Sequence, residues 1–186
     1  MLFPVCRPPG HNVFDRDYDC AMNRMLLLLL LSSTGLCGQS VPVRPSFEKY
    51  PATQIYKGTP AEPKLDKDQR MFRTVIRKGA RSPVQFAGHY TVAQCGCGTG
   101  CSQFYIVDSI NGRVYDGEFA ISDLPGKWLE KQSDDPPNHV QFSPSSRLLK
   151  INGCPNERDC GFYDYVMVDG NGLKLINKWL LPQEFQ

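Results

Sequence analysis

Phe86-Ala87-Gly88-His89-Tyr90-Thr91-Val92-Ala93-Gln94-Cys95-Gly96-Cys97-Gly98-Thr99-Gly100-Cys101-Ser102-Gln103-Phe104-Tyr105-Ile106-Val107-Asp108 is the stretch on which the fold turns. Its two ends are rich in aromatic and β-branched residues, as strands are, and a cysteine- and glycine-rich segment separates them. Residues 86–93 read as one strand with small residues on one side, and residues 103–108 as a second. Outward from there, residues 113–116 read as a third strand, joined to the second across Asn111-Gly112, a strong hairpin signal. Further strands are expected over 148–151, 163–168 and 173–180, the last two separated by the turn Asp169-Gly170-Asn171-Gly172. Residues 122–139 read as a loop with Asp134-Asp135-Pro136-Pro137-Asn138 at its tip.

Upstream, the period changes. Residues 41–65 carry Pro42, Pro45, Pro51, Pro60 and Pro63 and are expected to run extended over the body. Asp66 then reads as an N-cap. Met71, Phe72, Val75 and Ile76 recur at helical spacing, and Arg77 and Lys78 precede Gly79. These features predict an amphipathic helix over 67–79.

The strands suggest an internal repeat. Phe86, Cys97 and Cys101, Tyr105 to Asp108 and Gly112 form one copy. Phe142, Cys154 and Cys160, Tyr165 to Asp169 and Gly172 form the other. Each copy reads as a three-stranded antiparallel meander around a cysteine-bounded loop. The second opens with Phe142-Ser143-Pro144-Ser145-Ser146-Arg147-Leu148, similar to the hairpin opening of propeller blades. Two copies cannot close a propeller, but they can form one continuous sheet or two packed ones. The expected fold class is mainly β (α+β): antiparallel sheet from two meanders plus one N-terminal amphipathic helix.

The chain has 186 residues, 41% hydrophobic and 22% charged, with 15 Pro, 16 Gly and a net charge of +2. This composition suits one turn-rich domain with a packed core; it excludes a multidomain enzyme, a coiled coil and a polytopic membrane protein. It gives no basis for a general nucleic-acid binder. Residues 1–39 read as a leader, 40–82 as the extended segment and helix, and 83–186 as the β body. Met25 to Leu31, preceded by Arg24, is too short to span a bilayer but fits the apolar core of a signal peptide over 21–39. Cleavage is expected between Gly35 and Ser40. Asp15, Asp17 and Asp19 are foreign to such a leader, so Met22 or Met25 reads as the true start. Leu36 before Cys37 weighs against lipidation, because a small residue normally precedes a lipidated cysteine. The expectation is a periplasmic or secreted protein with no membrane span once the leader is removed. Charge is uneven beyond it: residues 44–81 hold ten Lys and Arg against four Asp and Glu. That segment either matches the mildly acidic body or faces an anionic envelope component.

In an exported chain the default state of cysteine is the disulfide. Cys97 with Cys101 and Cys154 with Cys160 can each close locally, leaving Cys95 as the odd thiol. Such short loops constrain little of the unfolded chain, so each should contribute about 2 kcal/mol, the low end of the usual range. Their value is rigidity. Two catalytic readings compete. Cys95, Cys97, Cys101 and His89 offer a soft-metal set, though without the paired spacing of zinc ribbons. His89 also stands six residues before Cys95, an even offset that places both on one face of a regular strand, as a thiol enzyme requires. Asp108 and Asp169 end equivalent strands before Gly turns, where turn formation is their ordinary role. No phosphate-binding glycine loop, Gly-x-Ser-x-Gly elbow or His-Glu-x-x-His is present.

The stretches Phe86-Ala87-Gly88-His89-Tyr90, Gly96 to Cys101, Asn156-Glu157-Arg158 to Cys160-Gly161, and Tyr50-Pro51 to Tyr56-Lys57-Gly58 resemble a family of small exported bacterial proteins of uncharacterised function. The resemblance covers roughly 47–180. It implies export and this fold, and it supports Cys95 as the odd thiol, since that position is usually not Cys in the family. A weaker likeness is to the periplasmic vertebrate-type lysozyme inhibitors, where a strand beginning with Tyr leads into a Cys-closed loop and then Gln. Tyr90, Cys97, Cys101 and Gln103 have that order, although no His lies between these cysteines.

The sequence thus favours a binding module without a cofactor. Its rigid Cys-closed loops would present Gly98, Thr99 and Gly100, and Asn156, Glu157, Arg158 and Asp159, to another envelope or secreted protein, in the narrowest form as an inhibitor. A thiol- or metal-dependent enzyme using Cys95, Cys97, Cys101 and His89 is the alternative. A purely structural envelope protein is a third class that the sequence does not separate from the first.

Overall fold

The computed structural model describes residues 43–117, 120–129 and 140–186. The leader at 1–39, Cys37 and the loop tip at 134–138 lie outside the described residues. The rest is mainly antiparallel sheet with a short helix. Eight strands are formed: β1 (Tyr90–Gly98), β2 (Cys101–Asp108), β3 (Val114–Asp116), β4 (Ile121–Ser122), β5 (Val140–Ser143), β6 (Ser146–Pro155), β7 (Gly161–Val168) and β8 (Gly172–Leu180). Among the described residues the strands pair antiparallel, in the order β1-β2-β4-β6-β7-β8, with β3 also on β2 and β5 also on β6.

The position of β4 decides the architecture. One edge of β2 pairs fully with β1. Its other edge is divided: Tyr105 to Val107 pair with β3, and Cys101 and Ser102 pair with β4. The free edge of β6 is divided likewise between β5 and β4. A two-residue strand is therefore the ladder link between the half made of β1–β3 and the half made of β5–β8. The inner faces of both halves feed one core. Tyr90, Phe104 and Ile106 of the first half pack in a single cluster with Leu149, Ile151, Tyr163, Tyr165 and Met167 of the second. The inward set alternates along each strand, as period-2 geometry requires.

The other faces are covered separately. On the first half, Ala93, Tyr105 and Val107 pack against Ile76 and Ala80 of α1 (Arg73–Ala80). The helix lies close, because a Cβ at Gly79 would stand 2.4 Å from that of Ala93. On the second half, Phe162, Leu181, Phe185, Cys154 and Cys160 cluster with Leu124 and with Trp128 of the short helix α2 (Gly126–Leu129). β7 is buried along both faces. Its one charge, Asp164, is fully buried and is met by Arg44 from the proline-punctuated segment: Arg44 Nε donates at 2.8 Å and Nη2 at 2.6 Å to Oδ1. Arg44 also donates to the Tyr163 carbonyl at 2.8 Å and to Asn152 Oδ1. The segment before the helix is thus strapped to the sheet.

Several boundaries differ from the sequence reading. The strand expected over 86–93 starts at Tyr90 instead. Phe86 to His89 form a tight loop with left-handed backbone at Ala87 (φ 47°) and Gly88 (φ 84°). Gly88 donates to the Pro144 carbonyl, and a Cβ there would lie 2.3 Å from the Gln54 carbonyl oxygen, so the loop is pinned between two other segments. At its other end β1 continues through Gly98, because its register with β2 holds the glycines extended. The helix predicted over 67–79 is a 3-10 turn, Gln69–Phe72, followed by α1; Asp66 Oδ1 accepts from the amides of Asp68 and Gln69. The segment 122–139, expected as a loop, contains α2 among its described residues, and β4 and β5 flank it.

Candidate functional site: the disulfide-closed edge

The two cysteine pairs are both bonded, Cys97 to Cys101 and Cys154 to Cys160. The first does not close a free loop. It crosses a β-hairpin at a bulge: the register shifts between Gly96 and Gly98, so that Cys97 and Gly98 both oppose Cys101. The Cα atoms of the pair are 5.1 Å apart, within reach of an ordinary disulfide. Gly98 (φ 149°) and Gly100 (φ 66°) take the backbone round the turn. The second pair brackets the turn between β6 and β7.

β4 brings these turns together. Cys101 and Cys154 both stand in register with Ser122, one on each side. At about 4.8 Å per strand spacing, the two cysteines are roughly 10 Å apart. Flanking backbone bonds stitch the assembly: Asp123 N donates to the Gly100 carbonyl and Asn156 N to the Ala120 carbonyl, both at 2.8 Å. The fit is close. A Cβ at Gly153 would lie 2.5 Å from both Ile121 Cγ2 and the Ser122 carbonyl oxygen, and one at Gly100 would lie 2.6 Å from an Asp123 carboxylate oxygen.

The two turns differ in support. Cys97 is exposed and Cys101 half-buried, whereas Cys154 and Cys160 are each 5% exposed within an apolar cluster. Trp128 stacks edge-on to Phe185 at 5.3 Å beneath that turn, and Gln186 Oε1 accepts from Cys160 N at 2.8 Å. The turn above is held in an unusual backbone. Asn156, Glu157 and Asp159 have φ of 53°, 60° and 49°. Asn and Asp tolerate this region, but Glu gains nothing local from it, and such residues persist where surrounding structure fixes them.

The side chains of this edge divide into committed and free. Asp159 Oδ2 accepts from Lys178 Nζ at 2.9 Å, and the Asp159 carbonyl accepts from the Tyr163 hydroxyl. Burial, with the charge of Asp159 adding to it, pushes the Tyr163 phenol well above its ordinary value, so it stays a neutral donor. Glu157 and Arg158 are exposed and make no ion pair among the described residues, and Gly98 and Thr99 are also exposed. All seven residues singled out from sequence thus lie in these two neighbouring turns.

The structure separates the groups on which the enzyme readings depend. Cys97 and Cys101 bond each other. Cys95 is free and half-buried on the α1 side of β1, and burial pushes its thiol up, away from the reactive thiolate. At about 3.3 Å per residue, Tyr90 and Cys95 are about 17 Å apart, and His89 lies beyond Tyr90. His89 instead stands at the opposite end of the sheet, with Nε2 3.9 Å from Asp108 and 4.0 Å from Asp169. Both carboxylates already have structural partners: Asp108 accepts from Ile110 N at 2.8 Å and Asn111 Nδ2 at 2.6 Å, and Asp169 accepts from the Tyr90 hydroxyl at 3.1 Å. Burial, then Asp169 and Asp108, raise the Tyr90 phenol far above its ordinary value. Among the described residues, no three His, Cys, Asp or Glu side chains converge as a metal site would require.

No family model matches this chain, and no curated protein or solved structure matches it significantly.

Proposed function

We propose that the protein is an exported binding module whose two disulfide-closed turns dock together, as one rigid edge, on another envelope or secreted protein. The observation that carries this reading is the position of Ser122, between Cys101 and Cys154 and in register with both. Two turns that are about 60 residues apart in sequence present one surface, and their backbone is fixed by sulfur, by β4 and by a buried aromatic cluster. A preorganised edge loses little conformational freedom on association, which leaves more of the contact energy as affinity. Uncommitted Glu157, Arg158 and Thr99 supply charge and hydrogen bonding on a backbone that does not have to be ordered. Inhibition of an enzyme by insertion of this edge is the narrower form of the proposal.

Export is part of the same proposal. Two intrachain disulfides suit an oxidising compartment, and the leader at 1–39 supplies the route. Membership of the small exported family rests on the motifs 86–90, 96–101 and 156–161. Descent of the two halves from one repeated meander is supported by the way each carries a Cys-closed turn at one end and, at the other, a turn that begins at an Asp and ends at a Gly (Asp108 to Gly112, Asp169 to Gly172).

Site-directed photocrosslinking in an export-competent bacterium tests the reading. A crosslinker at position 99 and one at position 157 should capture the same partner, whereas one at exposed position 174 on β8 should not. The Cys97→Ser/Cys101→Ser pair should abolish capture from 99 without unfolding the protein. Equal capture from all three positions, or capture unaffected by loss of the disulfide, would remove the edge from the account.

A further inference from the structure

A different face carries a second, independent inference. Arg70, Arg73, Arg77 and Arg81 recur at spacings of three, four and four, and so form one stripe along the 3-10 turn and α1, with Lys78 beside it. All five are exposed. Their side chains bound two neighbouring grooves. One, of about 420 Å³, is lined by Arg73, Thr74, Arg77, Lys78 and Arg81. The other, of about 380 Å³, is lined by Pro63, Leu65, Arg70, Arg73 and Arg77. Arg73 and Arg77 line both, so the two run together as one cationic trough. At helical rise, Arg70 to Arg81 spans about 17 Å.

Stability does not account for this stripe. Arg77 and Lys78, in the last turn, complement the helix dipole. Arg70 and Arg73 stand at the opposite end, where cations are unfavourable, and the first turn of α1 carries no acidic residue. Like charges four apart also repel. Among the described residues, the one ion pair on this face is Arg81 with Glu62, at 3.5 Å and exposed. Among the described residues, four of these five cations thus make no ion pair.

We propose that this trough binds a linear phosphate-bearing polyanion, a chain of phosphates on flexible links. Guanidinium groups in series match phosphates in series, each able to make paired hydrogen bonds. Two further features narrow the class. The apolar stripe of α1, with Ile76 and Ala80, is consumed by the core, so the helix cannot lay an apolar face into a bilayer. No aromatic side chain lines either groove, so the bases of a nucleic acid have nothing on which to stack.

Binding of fluorescent long-chain inorganic polyphosphate to the purified protein, followed by anisotropy across a salt series, tests the assignment. Affinity should fall steeply with salt, with a log–log slope of about −3.5 for five contacts on a flexible chain. The Arg73→Ala/Arg77→Ala variant should lose about 25-fold in affinity, at about fivefold for each charge, and about 1.4 from the slope. A Lys49→Ala/Lys174→Ala variant, also exposed but outside the trough, should bind as the wild type does. Unchanged binding by the arginine variant would overturn the proposal. So would equal competition by orthophosphate at matched phosphate, which would mean that no linear chain is needed. Tighter arginine-dependent binding of single-stranded DNA, or of anionic phospholipid vesicles, would reassign the face to nucleic acid or to a membrane surface.

Discussion

Arg44 is the clearest point at which to break the molecule. Its guanidinium meets Asp164 at 2.6 and 2.8 Å, and the Asp164 side chain is fully buried while that of Arg44 is 10% exposed. Asn177 Nδ2 reaches the other carboxylate oxygen at 3.3 Å, which is too weak to replace a charge. Burial holds the Arg44 guanidinium below its ordinary pKa, against the raising pull of Asp164. Arg44→Met keeps most of the stem against Phe162 and removes the charge. Deleting one partner of a buried pair leaves the other uncompensated, at about 3–5 kcal/mol. With a urea dependence of about 2 kcal/mol/M, the unfolding midpoint should fall by about 2 M. Arg44→Met/Asp164→Leu should recover most of the loss, because the pair taken out together leaves no orphan charge. Urea melts of the four proteins of the cycle at pH 7 decide it. A penalty below about 1 kcal/mol, or one not relieved in the double variant, would refute the strap.

Two further expectations concern sulfur and acid. The exposed Cys97–Cys101 bond should be reduced at dithiothreitol concentrations that leave the buried Cys154–Cys160 bond intact; differential alkylation read by mass spectrometry checks this, and the reverse order would contradict the burial argument. Asp116 is pushed above its ordinary value by burial and then by Asp66 and Asp68, against the hydrogen bond from Gln69. Its stabilising contribution is therefore largest at low pH and is lost as pH rises through the window just above the usual Asp range. Asp116→Asn should stabilise the fold at pH 7, by less than about 1 kcal/mol because the carboxylate is only partly withdrawn from solvent, and should have no effect well below that window; thermal melts at both pH values measure it.

Where local pattern and tertiary demand agree, the fold is legible in the sequence. Tyr105 to Val107 and Tyr163 to Met167 read as strands because they are short, aromatic and β-branched, and run into turns at Asp108 and Asp169. Cys97–Cys101 and Cys154–Cys160 were readable as pairs because each closes over four or six residues. Phe86 to His89 misleads for a physical reason: its alternation is that of a strand, but Gly88 is drawn into the left-handed region by contacts with Gln54 and Pro144, remote in sequence. Cys95 to Gly98 misleads in the other direction. Glycine-rich and poor in side chains, it reads as loop, and only pairing with Gln103 to Cys101 keeps it extended. The arginine strap is invisible for the same reason, since Arg44 and Asp164 are 120 residues apart.

The least legible element, Ile121-Ser122, is the one on which the proposed function rests. Two residues carry no period, and nothing in their identity says that each edge will find a partner. Their strand character comes from the fact that β2 and β6 each run past the end of a neighbour, β3 and β5, and leave a short stretch of unpaired backbone beside a cysteine. Unpaired amides and carbonyls at two sheet edges are costly to bury, and one short segment satisfies both. The coupling of the two disulfide turns then follows from hydrogen-bond satisfaction at the join of the two half-sheets. At the opposite end, the turns that begin at Asp108 and Asp169 have their carboxylates engaged, Asp108 by Asn111 of its own turn and Asp169 by the Tyr90 hydroxyl. The Cys end holds its backbone by other means and leaves Glu157, Arg158 and Thr99 facing solvent. That division, rigid backbone with uncommitted side chains at one end and spent side chains at the other, is why recognition is assigned to the cysteine end.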